Sequence, residues 1–134
     1  MIIKPEISIR YAAPDDAELI AARLREEDRA ECAALGFVDP AAMMKSAIGA
    51  PASETLVVLR YDRPIAIFGI QPETLASSRA LVWFLRTDEL SGYPREILTV
   101  TRRYFVAKLM SYSVLYNYVD SRYRRSVKYL RLCG

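Results

Sequence analysis

A single mixed α/β domain with the element order β-α-α-β-β-β-α-β-α is the fold class the sequence predicts. Three observations predict it. Pro14, Pro40 and Pro94 each stand where an apolar helical stripe begins. Proline suits the first turn of a helix, because the N–H it lacks has no intrahelical partner there. Between the second and third prolines, T-L-V-V-L-R-Y, I-A-I-F-G-I and R-A-L-V-W-F-L follow one another as short apolar runs bounded by turn residues, as consecutive strands do. After Pro94 the pattern reads helix, strand, helix. The strands on either side of that first helix are therefore expected to lie parallel, joined by a right-handed crossover.

In chain order, E-I-S-I-R-Y (Glu6 to Tyr11) alternates apolar and polar residues and predicts a short strand. The first helix starts at Pro14, with Asp15, Asp16 and Glu18 in its opening turns, where the helix dipole favours negative charge. Ala17, Ile20, Ala21 and Leu24 form its apolar stripe, and Gly36 is expected to end it in a left-handed cap. Asp39-Pro40 is a second cap-plus-proline start, and Gly49 with Pro51 closes that shorter helix. The three central runs are apolar on both faces, which predicts an antiparallel meander covered on both sides. T-D-E-L-S-G-Y reads as a loop, and a long helix then runs from Pro94 to about Met110. Ser113 to Val119 is rich in aromatic and β-branched residues and reads as a strand. Tyr118 to Gly134 carries the last helix.

The chain has 134 residues, of which 52% are hydrophobic and 26% charged. This is enough for one domain, residues 1–134, to build a core without disulfides or metal. No stretch approaches the roughly 18 uncharged apolar residues that a membrane span needs. Met1 to Arg10 contains charges and a proline but no leader-type apolar stretch, so a cytoplasmic setting is expected. There is no histidine, which excludes Ser-His-Asp and Cys-His nucleophile chemistry and removes the commonest transition-metal ligand. Cys32 and Cys133 lie far apart in no metal-binding pattern. They read as buried free thiols, and no metal site is expected.

The opening I-S-I-R-Y-A-A-P-D-D-A (Ile7 to Ala17), taken with this element order, resembles the GNAT (GCN5-related N-acetyltransferase) fold. A narrower resemblance rests on P-I-A-I-F-G, L-V-W-F-L-R-T-D-E-L, L-Y-N-Y-V-D and S-V-K-Y-L-R-L-C-G. These are similar to segments of small proteins of short-tailed bacteriophages, known as internal virion or ejection-apparatus accessory proteins and in some cases as acetyltransferases. The resemblance implies a GNAT-like mixed sheet lacking the usual C-terminal strand or hairpin. It also implies host cytoplasm or virion as location, and phage virion proteins or further copies of the chain as partners. An aromatic-rich last strand without its usual neighbour would invite such pairing.

The same resemblance implies where acetyl-CoA would bind. The family seats the cofactor pyrophosphate on backbone N–H groups at the start of the long helix, in a Gln/Arg-x-x-Gly-x-Gly/Ala loop. Helix N-termini bind anions because their first N–H groups are unpaired and partly positive. The corresponding stretch here is R-T-D-E-L-S-G-Y-P-R-E, which makes Arg86, Ser91, Gly92, Tyr93 and Arg95 the candidate cofactor contacts. It has a single glycine, a proline that removes one donor, and two acids, Asp88 and Glu89, where a diphosphate would approach. Counting back from Gly134, the family's Asn falls at Tyr123, its small residue at Ser126 and its proton-donating Tyr at Leu130, one place from Tyr129. One residue is about 100° around a helix. The catalytic residues are therefore unassigned, with Glu73, Asp88 and Glu89 as loop carboxylates that could serve as a base. The expectation is a GNAT-like protein without acetyl transfer and without cofactor. The alternative is an acetyl-CoA-dependent N-acetyltransferase with a divergent loop.

The last helix supports a third reading. Arg124, Lys128 and Arg131 share one helical face, flanked by Arg122 and Arg125. That stripe is either the solvated face of an amphipathic helix, a contact for DNA phosphates or an acidic protein, or a seat for CoA phosphates. A nucleic-acid partner would make binding fall steeply with salt.

Overall fold

The computed structural model describes residues 2–117. In chain order these form β1 (Ile2–Lys4), β2 (Ile7–Tyr11), α1 (Pro14–Ala22), α2 (Glu26–Ala34), α3 (Pro40–Gly49), β3 (Glu54–Arg60), β4 (Arg63–Pro72), β5 (Arg79–Arg86), a 3-10 turn (Asp88–Gly92), α4 (Pro94–Lys108) and β6 (Val114–Tyr116). The strands lie in sequence order in one sheet. Neighbours are antiparallel as far as β5, and β5 and β6 are parallel. The meander and the parallel crossover through α4 are therefore as the sequence predicts. The predicted last helix, with Arg122, Arg124, Arg125, Lys128 and Arg131, lies outside the described residues.

Local chemistry explains most of the boundaries. Asp16 closes the start of α1 by accepting the Ala13 N–H at 2.7 Å, and both its oxygens hold the Arg10 guanidinium at 2.7 and 2.9 Å. Asp39 caps α3 by accepting from the Ala42 N–H at 3.2 Å. Gly36 ends α2 with φ +89°, a conformation that costs other residues a steric clash. At the β3–β4 turn the chain reverses through Tyr61 (φ 52°), which pairs Arg60 with Arg63 across the hairpin.

Three elements differ from the sequence reading, the first being β1, a strand the sequence reading did not include. The expected single helix from Pro14 to Gly36 is two, broken at Arg23–Arg25. The break is tertiary in origin. The Arg25 N–H donates to the Arg86 carbonyl at 2.9 Å, and Leu24 forms an isolated antiparallel bridge with Thr87. The chain leaves the helix to pair with the end of β5. The T-D-E-L-S-G-Y stretch is also more ordered than a loop, since most of it forms the 3-10 turn.

The sheet carries a core on each face. One side joins Ala17, Ile20, Leu24, Cys32 and Met44 of the first three helices to Ile67 and Leu85. The other joins Ile97 and Phe105 of α4 to Ile7, Ile9, Val58, Phe68 and Val82. Both faces of β4 are covered, which explains its unbroken apolar run.

Candidate functional site

The crossover strand β5 leads into the segment that the sequence marks for a cofactor. β6 pairs with β5 only at Arg79–Leu81. Beyond that, the outer edge of β5 opens towards Arg86, and the α1–α2 junction closes it there. Asp28 accepts the Arg86 backbone N–H at 2.8 Å, while the Arg86 carbonyl accepts from Arg25. Both backbone polar groups of Arg86 are thus taken by the chain itself.

Asp28 is buried and also accepts from Arg25 Nη2 at 2.5 Å. Burial pushes its carboxyl above the usual carboxylate range, against the pull of Arg25 and of the Arg86 N–H. Burial likewise lowers the Arg86 guanidinium, helped by the charge of Arg25. The Nε atoms of Arg25 and Arg86 are buried without a hydrogen-bond partner. Arg86 Nη2 reaches the Ser91 hydroxyl at 3.3 Å.

Glu89 stands three residues after Arg86, where the family's loop has its first glycine. Its carboxylate is held by Arg23, by Arg63 at 2.7 Å, and more distantly by Arg60 at 3.9 Å. Arg60 and Arg63 are adjacent because the β3–β4 turn pairs them. Burial opposes charge on Glu89, but the hydrogen bonds and charges of Arg63 and Arg23 outweigh it and hold its carboxyl below the usual range. Thr87 is buried and anchors the turn, its N–H and hydroxyl both donating to the Ile65 carbonyl at 2.9 and 3.0 Å.

The structure separates the five predicted cofactor residues. Arg86 and Ser91 are together. Tyr93 turns away, its hydroxyl accepting from Arg60 Nε at 3.1 Å and its ring packing on the α4-side core. Arg95 lines a groove on that face. Gly92 adopts no left-handed conformation. Of the carboxylates considered as bases, Glu73 pairs with Arg79 at 3.2 Å, at the opposite end of β5 from Asp88 and Glu89. These groups cannot serve one cleft. Cys32 is buried and its thiol is pushed up by desolvation, as an inert core thiol would be. Among the described residues, no cluster of metal-ligating side chains occurs and no helix is long and apolar enough to cross a membrane.

Arg23, Arg25, Asp28, Arg60 and Arg63 escaped the sequence reading. Only their charge was visible there. Their meeting at the end of β5 depends on long-range pairing.

Solved structures place this architecture. A spermidine N-acetyltransferase from Vibrio cholerae, in complex with CoA and spermine, superposes with a TM-score of 0.66 at 14% identity, over 98% of this chain and 81% of that one. An acetyltransferase of the GNAT family from Streptococcus pneumoniae gives 0.63 at 13% identity, over 96% and 83%. A transcriptional regulator from Bacillus halodurans C-125 gives 0.66 at 14% identity, over 96% and 91%. The fold is GNAT-like. No protein-family model matches the sequence, and no curated protein matches it significantly.

A GNAT-like fold implies acetyl-CoA, and the residues at the end of β5 fit it poorly. Seating a diphosphate takes free N–H donors and no competing anion. Here Pro94 lacks an N–H and the Tyr93 N–H donates to Leu90. The Arg86 N–H is given to Asp28, and Glu89 already occupies the nearby arginines.

Proposed function

We propose that this chain is a GNAT-fold binding protein that does not transfer acetyl groups, and that it acts through contacts with other proteins. The observation that carries the reading is the closure of the β5 end by Asp28 and Arg25, with Glu89 engaged by its own arginines. The resemblance of W-F-L-R-T-D and N-Y-V-D to phage proteins narrows the partner to a component of the virion interior or ejection apparatus, or to a second copy. On this reading the protein is made in the cytoplasm of an infected host.

A second reading is an acetyl-CoA-dependent N-acetyltransferase. The buried, unpartnered Nε atoms of Arg25 and Arg86 favour it, because donors of this kind await an acceptor. So does the fold shared with the Vibrio cholerae enzyme seen with CoA.

Calorimetry with acetyl-CoA at low and moderate salt separates the two. The binding-protein reading expects no saturable heat, or weak heat that vanishes as salt rises. One-to-one binding in the micromolar range at both salts would sink it and establish the cofactor site.

A further inference from the structure

On the α4 side of the sheet a groove of about 1040 Å³ runs between the helix and β2. Its floor is apolar, formed by Ile9, Leu56, Phe68, Val100 and Tyr104. The Tyr104 hydroxyl is buried with no hydrogen-bond partner, and burial raises its pKa. Glu96, which lines the groove, is paired with Lys4 at 2.6 Å, and beyond the groove Lys108 pairs with Glu54. Along the helical lip stand Arg95 and Arg103, both exposed and without a hydrogen bond or ion pair among the described residues. The opposite lip is Arg10 and Tyr11, and Arg10 is already neutralised by Asp16.

Two unneutralised arginines over an apolar floor select an occupant that is acidic at its edge and apolar beneath. The chain's own segment 118–134 is excluded on charge. It carries five arginines and lysines against one acid, and would meet like charge at the lip. An extended chain fits. Arg95 and Arg103 lie about 12 Å apart along the helix axis. In a strand, residues i and i+4 point to the same side about 13 Å apart, while i+1 and i+3 point to the other.

We propose that this groove binds an extended segment of another protein, with acidic side chains at i and i+4 set against Arg95 and Arg103, and apolar side chains at i+1 and i+3 on the Ile9–Leu56–Phe68–Val100 floor. The site takes Arg95 from the candidate cofactor contacts but lies on the α4 face, away from Arg86 and Ser91, and Arg103 belongs to it alone.

The test uses the synthetic peptide acetyl-Glu-Ile-Ser-Val-Glu-amide and the full chain, followed by calorimetry and by amide chemical shifts. Saturable binding is expected to shift Ile9, Val100 and Tyr104. It should weaken by about tenfold or more in the Arg95→Glu, Arg103→Glu variant, and equally for a peptide with both glutamates replaced by glutamine. Neither arginine makes a hydrogen bond or ion pair among the described residues, and a melting curve checks that the variant is folded. Affinity unchanged by either substitution overturns the proposal, as do shifts outside the groove or no binding at millimolar peptide.

Discussion

On the α1–α3 face of the sheet, Ala17, Ile20, Met44 and Ile67 are fully buried, and charged residues tie down the connections around them. On the α4 face a single described helix crosses the strands, leaving Leu56 and Val100 half-buried in an open groove. The same strands serve both faces, so strand sequence alone does not account for the difference. Three short helices cover one side and one long helix covers part of the other. The candidate cofactor residues divide between the two: Arg86 and Ser91 meet near the α1–α2 junction, while Tyr93 packs on the α4-side core and Arg95 lines the groove.

Paired truncations test this contrast most directly. Ile20→Ala is expected to cost about 2–5 kcal/mol, since the site is fully buried and cannot collapse around the loss. Leu56→Ala should cost roughly 1 kcal/mol, because the groove already exposes part of that side chain. Urea denaturation of the two variants reads the difference, and equal losses would mean that the faces are packed alike.

Asp28→Ala probes the seal. Removing the carboxylate leaves the buried Arg25 guanidinium with Glu27 alone, at 3.1 Å, and the Arg86 N–H without an acceptor, at a cost of about 1–3 kcal/mol. Asp28→Asn keeps an acceptor oxygen and should lose less. If Asp28→Ala melts like the wild type, the seal is not a structural contact.

The pH dependence is smaller and sharpens the comparison, because the two carboxylates act with opposite sign. Glu89 has a depressed pKa. Its contribution is present above the unfolded value near ~4.3 and is lost as pH falls through the folded value. Asp28 has a raised pKa. Its contribution is present below the unfolded value near ~3.9 and is lost as pH rises through the folded value. In melting curves against pH, Glu89→Gln should flatten the acid limb and Asp28→Asn the limb above it. The reverse assignment would show that one of the two environments is misread.

Much of the fold was legible because its signals are local. Proline with an acidic residue at Pro14 and Asp39–Pro40, a left-handed glycine at Gly36 and three apolar runs each act within a few residues. The short β1 gave no such signal, since three residues show no period. The break at Arg23–Arg25 was hidden because Leu24 continues the apolar stripe of α1. What ends the helix is a bridge to Thr87. The site was legible to a lesser degree for the same reason. Asp88, Glu89 and Pro94 flagged a loop unsuited to phosphate. Nothing near Glu89 in sequence revealed Arg23 and Arg63 as its partners, nor Asp28 as the ligand of the Arg86 N–H. The groove joins residues of β2, β3, β4 and α4, which only the sheet brings together.

The bond between Asp28 and Arg86 spans 58 residues of sequence, whereas the β3–β4–β5 meander forms from neighbours. Contacts of short sequence separation form early in folding and distant ones late. The meander is accordingly expected to form first, with the docking of the α1–α2 junction afterwards. Until it docks, the end of β5 is an unguarded strand edge in a partly folded chain, the kind of edge that pairs with other molecules. Asp28→Ala should accordingly speed unfolding while leaving the folding rate nearly unchanged. On that order of events the seal covers this strand edge only after the meander that exposes it has formed.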